Sequence, residues 1–209
     1  MGGPTSFVLL PEPLSSEQHK ELLDLMAQLG EIEENFKSRS GTKTEHEADT
    51  YYLQIINSSA FGLNLPDIGG WPFIVSYERL PSWELKALKV VEQKIGFKAN
   101  YMIQLDACCS DTHSHRLLGL LTLECCERFQ GLIHMGGPLF PPSTPDSPDV
   151  WDLDWREAER YSREYFDRLP GTLITVPYVV SEERDWFYYV VDSTFMRAWL
   201  ADPNFYMVQ

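Results

Sequence analysis

The sequence predicts an α+β fold: a mixed sheet with a ferredoxin-like βαββαβ first half and a buried central helix. Three observations carry this expectation. Residues 101–137 read strand, helix, strand, and the helix is apolar around most of its circumference rather than along one stripe. Residues 7–107 follow the order β-α-β-β-α-β, that of a split βαβ unit. Residues 154–200 continue with a helix, a hairpin and a short helix. Residues 1–209 are expected to form a single α+β domain, because the apolar helix is more easily buried between two halves than beside one.

Residues 7–10 form a short apolar run closed by Pro11 and Pro13, a first strand. Ser15 and Gln18 make a capping box, and Leu22, Leu25, Met26 and Leu29 recur at helical spacing up to Gly30, the expected residue beyond the C-cap. Glu31, Glu33, Glu34, Glu45, Glu47 and Asp49 flank a polar link over residues 37–50. Residues 51–56 and 73–77 are rich in aromatic and branched side chains and read as two strands. Ser82 is expected to cap a helix carrying Trp83, Ala87, Leu88, Val91 and Ile95, stopped by Gly96. In the strand that follows, Tyr101, Ile103 and Leu105 alternate with Met102, Gln104 and Asp106.

Ser110 or Asp111 offers the N-cap oxygen of the central helix, and Gly131 is expected to end it in the left-handed conformation. Leu132, Ile133 and Met135 form a short buried strand before Gly136-Gly137-Pro138. Residues 138–149, PLFPPSTPDSPD, are too proline-rich for a helix or a central strand and should lie extended on the surface. Asp154 or a neighbour opens a helix with Trp155, Ala158, Tyr161, Tyr165, Phe166 and Leu169 on one face, and Glu159 with Arg163 and Glu164 with Arg168 as i,i+4 pairs. Residues 172–180 and 186–191 make a hairpin, with Pro177 placing the first strand at an edge or a bulge. Ser193 is expected to cap a last helix with Phe195, Trp199 and Leu200 inward, and Phe205, Met207 and Val208 offer a final strand.

An apolar fraction of 44% with 13% aromatics belongs to an ordinary globular chain. The four cysteines fall as two adjacent pairs, Cys108-Cys109 and Cys125-Cys126, and neighbours in sequence seldom form a disulfide framework, so a reducing, cytoplasmic setting is expected. No apolar run reaches the roughly 18 residues that a membrane span needs. The start MGGPTS fits the myristoylation pattern, but no basic cluster beside it supplies the second signal that stable anchoring takes. A net charge of −14 repels nucleic acid and anionic lipid and attracts basic proteins. The expected partner is therefore a basic protein, with neither nucleic acid nor membrane and no cofactor.

Two groups of residues carry candidate chemistry. The first is the Cys/His cluster over residues 108–134, in which Cys108, Cys109, His113 and His115 are the alternative metal set, joined in sequence by Asp111, Cys125, Cys126 and His134. Adjacent cysteines point in different directions, unlike zinc ligands set two to four residues apart, and Cys125 and Cys126 sit on an apolar helix as small hydrophobes would. Cys109 near His113 or His115 is the corresponding nucleophile, without a recognised signature around it. The second group is acidic and exposed: Asp146, Asp149, Asp152 and Asp154 in or just after the proline-rich arm, and Glu182, Glu183 and Asp185 at the hairpin tip. Asp152 and Asp154 between Trp151 and Trp155 also suit a sugar site, although acids at a helix start commonly serve capping and the dipole. Phosphate-loop, dinucleotide, serine-hydrolase and zincin motifs are absent from the sequence.

The Gly3-Pro4-Thr5 start, the run from Cys109-Ser110-Asp111 to His115 with Leu118-Gly119, the stretch from Gly131-Leu132-Ile133 to Gly136-Gly137, and the ending Arg197-Ala198-Trp199-Leu200 to Phe205 resemble an uncharacterised bacterial family of roughly 200-residue proteins. That resemblance implies no catalytic residues. In character the chain is similar to the cytosolic immunity proteins that neutralise polymorphic toxins. The function expected from the sequence is a non-enzymatic cytosolic protein-binding domain, an immunity-type inhibitor of a basic toxin; the alternative is an enzyme or metal-binding protein that uses the Cys/His cluster.

Overall fold

A computed structural model describes residues 3–34, 49–63, 70–145, 147–181 and 184–208. In chain order the strands are β1 (Thr5–Leu10), β2 (Gly30–Glu34), β3 (Asp49–Ile55), β4 (Trp71–Arg79), β5 (Tyr101–Ala107), β6 (Leu132–His134), β7 (Leu173–Ser181) and β8 (Arg184–Val191). The helices are α1 (Ser16–Leu29), α2 (Ser82–Ala87), α3 (Lys89–Ile95), α4 (Thr112–Arg128), α5 (Trp155–Phe166) and α6 (Ser193–Ala201). All the strands join one sheet in the order β2-β3-β4-β5-β1-β6-β8-β7. Each neighbouring pair is antiparallel, so the expectation of a mixed sheet is corrected.

The ferredoxin-like order is corrected with it. That arrangement would set β1 beside β4, but β5 lies between them and pairs with β1 from Thr5↔Asp106 to Leu10↔Tyr101. The Thr5 hydroxyl donates to Asp106 Oδ1 at 2.6 Å across this ladder, which ties the register to a polar pair. β5, α4 and β6 do form a βαβ unit, with β1 inserted between its two strands. Because β1 has neighbours on both edges and helices over both faces, Val8, Leu9 and Leu10 are all buried.

One face of the sheet carries the larger core, in which Val8, Ile103, Leu105 and Ile133 meet Leu22 of α1, Leu117 and Leu121 of α4, Phe166 of α5 and Phe195 and Trp199 of α6. On the other face Leu9, Met102, Val176, Tyr188 and Val190 lie beneath Leu88 and Val91 of the shorter α2–α3 pair. Since α2 and α3 are only 6 and 7 residues long, that second face is covered over part of its extent.

Local chemistry explains most element boundaries and several departures from expectation. The Ser15–Gln18 capping box is present, and Asp111 caps α4 by accepting from the backbone of His113 and Ser114. α6 is capped by Asp192 rather than Ser193, and α2 begins after Pro81 with no side-chain cap from Ser82. The left-handed residue after α4 is Gln130, φ 53°, not Gly131. Gly131 is required for a different reason: a Cβ there would lie 2.6 Å from the Leu9 carbonyl oxygen. Gly30 does not terminate α1 in the left-handed region but opens the edge strand β2, where a Cβ would lie 1.8 Å from the Gln54 carbonyl oxygen. Arg163 pairs with Glu159 at 3.2 Å as expected, whereas Arg168 reaches Asp202 at 2.8 Å. The described residues after α6, 202–208, form no ladder strand; instead the Met207 N–H donates to His115 Nδ1 and the Thr5 N–H to the Val208 carbonyl.

Candidate functional site

Of the acidic candidates, Asp146, Glu182 and Glu183 lie outside the described residues. Asp149, Asp152, Asp154 and Asp185 are exposed. Two of the four also serve the local backbone. Asp149 Oδ1 accepts from the Trp151 N–H at 3.0 Å, and Asp154 Oδ1 accepts from Arg156 and Glu157 at 2.8 and 3.0 Å, which starts α5. The arm and the hairpin come together through their tryptophans. Trp151 stacks on Trp186, ring centroids 5.6 Å apart and planes 13° from parallel. Trp186 is buried, but Trp151 remains 64% exposed. An indole held against a fixed ring is thereby presented to solvent beside Asp149 and Asp152, one residue along β8 from Asp185.

The Cys/His candidates are spread over different parts of the fold. Cys108 and Cys109 are exposed at the end of β5, and burial of the Cys108 thiol nevertheless pushes its pKa up. His113 is exposed on the first turn of α4 with its ring edge toward Trp71 at 6.2 Å. His115 turns inward, where burial lowers its pKa and Nδ1 accepts the Met207 N–H at 3.0 Å. Cys125 and Cys126 are buried in α4, which pushes both thiols up to about 12. A nucleophilic thiol needs the opposite shift. Among the described residues no group of three or more His, Cys, Asp or Glu side chains is placed to hold a metal ion.

The last member of that cluster, His134, belongs to a site that sequence reasoning missed. A cavity of about 380 Å³ lies on the α2–α3 side of the sheet. Its walls are the aromatic rings of Phe7, Trp83, Tyr178 and Tyr188 with Leu80 and Met102, and its polar groups include Glu78, Glu84, Gln104 and His134. Strand alternation places these residues: Glu78 of β4 sits opposite Met102 of β5, and His134 of β6 opposite Val190 of β8. The short helix α2 lowers Glu84 onto them.

Glu84 is only 5% exposed. Its Oε1 accepts from the Tyr188 hydroxyl in a short hydrogen bond and lies 3.6 Å from His134 Nε2. His134 stacks on Tyr188 with centroids 3.8 Å apart, and Phe7 meets the histidine edge-on at 4.8 Å. Because Nδ1 of His134 accepts the Gly136 N–H at 2.9 Å, the proton of the neutral ring is on Nε2, facing Glu84. The Tyr188 pKa is raised by burial and further by the Glu84 charge, so its hydroxyl stays a donor. Burial also raises the pKa of Glu78 and of Tyr178. The sequence contained one sign of this site: Glu84, Leu88 and Val91 fall at i, i+4 and i+7, which puts a carboxylate on the buried stripe of α2–α3. By contrast Trp83, expected to face the core, is 65% exposed at the cavity.

No helix among the described residues is long and apolar enough to cross a membrane. Neither a curated protein nor a solved structure matches the chain. Residues 2–209 match a family of unknown function, DUF6368, and the chain belongs to that family.

Proposed function

We propose that this chain is a non-enzymatic cytosolic protein-binding domain, an immunity-type inhibitor whose partner is a basic toxin domain. The observation that carries the reading is the Trp151–Trp186 stack, which sets an exposed indole from the arm that holds Asp149 and Asp152 against the residue of β8 that follows Asp185. Tryptophan anchors with fixed geometry dominate binding energy at interfaces, and surrounding carboxylates steer a basic partner and speed its association. The overall charge of −14 acts in the same direction. Cys108, Cys125 and Cys126 are pushed toward the unreactive protonated form, which weighs against these three thiols as nucleophiles.

The experiment is co-expression with a basic toxin domain encoded beside the chain's gene. The unaltered chain is expected to restore growth, and Trp151→Ala combined with Asp185→Lys to lose most of that protection while remaining folded by circular dichroism. Full protection by the double variant, or failure of the unaltered chain to protect against any neighbouring basic product, would overturn the reading.

A further inference from the structure

We propose that the cavity between α2 and the sheet is a binding site for a small organic cation, an amine or guanidine carried on an apolar body. This site is separate from the Trp151 surface and does not depend on it. The argument starts from charge. Glu78 and Glu84 both line the cavity, and among the described residues neither meets a Lys or Arg at ion-pair distance. His134 Nε2 approaches Glu84 Oε1 at 3.6 Å, but the hydrogen bond at its other nitrogen disfavours a second ring proton. An imidazolium would carry a proton on Nδ1 and set it against the Gly136 N–H only 2.9 Å away. A carboxylate withdrawn from water without a counter-charge is costly, and a ligand cation relieves that cost.

Hydrogen bonding at Glu84 agrees with this. Tyr188 and His134 both approach Oε1, which orients the carboxylate and leaves its second oxygen unclaimed by either of them. The walls suit the same ligand. The aromatic side chains of Trp83, Tyr178, Tyr188 and Phe7 line the cavity, and an aromatic lining attracts an ammonium or guanidinium through the ring quadrupole and accepts an apolar body as well. A volume of about 380 Å³ is that of a small-molecule site. Two carboxylates and an imidazole whose remaining nitrogen is occupied by backbone do not make a metal site, in keeping with the lack of a three-ligand group among the described residues.

Isothermal titration with benzylamine, and with benzyl alcohol and benzoate as its neutral and anionic counterparts, tests the proposal on the full chain. Benzylamine is expected to bind saturably at one site per chain and benzoate not at all. Glu84→Gln should weaken benzylamine by about tenfold or more while preserving an oxygen for Tyr188 and His134, and Glu78→Gln should weaken it less. Trp83→Ala should weaken binding without altering the selectivity for the cation. If benzyl alcohol binds as well as benzylamine, if both carboxylate variants bind benzylamine unchanged, or if no probe binds, the proposal is overturned. None of these outcomes bears on protection through the Trp151 surface, so the two readings fail separately.

Discussion

At the scale of single residues, burial decides which side chains matter, and chemical type alone misleads. His113 and His134 look alike in the sequence, yet one is an exposed first-turn residue and the other is sandwiched between Phe7 and Tyr188. Tyr188→Phe deletes the hydroxyl that donates to Glu84 and leaves a buried carboxylate short of a partner. The expected loss is about 1.5–3 kcal/mol, the range for hydrogen bonds to charged groups, measured as a shift in the urea midpoint. Glu84→Gln should cost less than Tyr188→Phe, because the amide oxygen still accepts. The same rule separates two residues of α4. Leu121 is completely buried, so Leu121→Ala should cost about 2–5 kcal/mol, whereas His113→Ala should stay within about 0.5 kcal/mol of neutral. Urea unfolding of the pair checks both, and a tolerated Leu121→Ala would contradict the packing of α4 against the sheet.

At the scale of elements, periodicity and capping were legible wherever a local pattern sufficed. The Ser15–Gln18 box, the start of α5 at or beside Asp154, the hairpin with Pro177 on the edge strand β7 and the buried central helix all follow from neighbours within a few residues. Misreadings occurred where two residues could serve equally. Asp192 and Ser193 are both good caps by type, but Asp192 has two oxygens and uses both: Oδ1 accepts the Phe195 N–H at 2.8 Å and Oδ2 the Thr172 N–H at 2.9 Å. It therefore joins the start of α6 to the approach to β7. Asp192→Ala should cost about 2–3 kcal/mol, compared with about 1 kcal/mol for the single-purpose cap in Asp154→Ala and almost nothing for Ser193→Ala. Thermal or urea denaturation of the three variants gives the ranking. β2 is not legible because Glu31, Glu33 and Glu34 look like the charged flank of the polar link over residues 37–50, when charge is also how an edge strand resists further pairing. Glu84 was missed for a related reason, since an acid on a helix reads as solvent-facing until the stripe it shares with Leu88 and Val91 is followed.

For the molecule as a whole, neither strand order nor strand direction was legible, because period-two alternation tells which face a residue takes and nothing about its neighbour strand. Insertion of β1 between β5 and β6 is what makes the sheet antiparallel throughout, and that choice rests on contacts about a hundred residues apart in sequence, such as Thr5 with Asp106. The cavity is a product of the same topology, since it draws on β4, β5, β1, β6, β8 and β7 at once. Burial of the central helix has a further, global consequence at alkaline pH. Cys125 and Cys126 are pushed from 9.0 up to about 12, so unfolded thiols lose their protons from about pH 9 while the folded ones retain theirs. The unfolded state then binds fewer protons, and stability falls as pH rises through that window, approaching about 1.4 kcal/mol per pH unit for each thiol well above pH 9. Tyr188, Tyr189 and Tyr206 are raised from 10.0 in the same direction and add to the decline only above that value. Urea midpoints measured at intervals from about pH 8 to about pH 11 should therefore be level at first and begin to fall near pH 9. Replacing both cysteines with alanine lowers the whole curve through lost packing but should make the fall between about pH 9 and about pH 10 shallower, leaving Cys108 there and the tyrosines above it. A slope between about pH 9 and about pH 10 that is unchanged in the double variant would show that the two thiols are not protected from water by the core around α4.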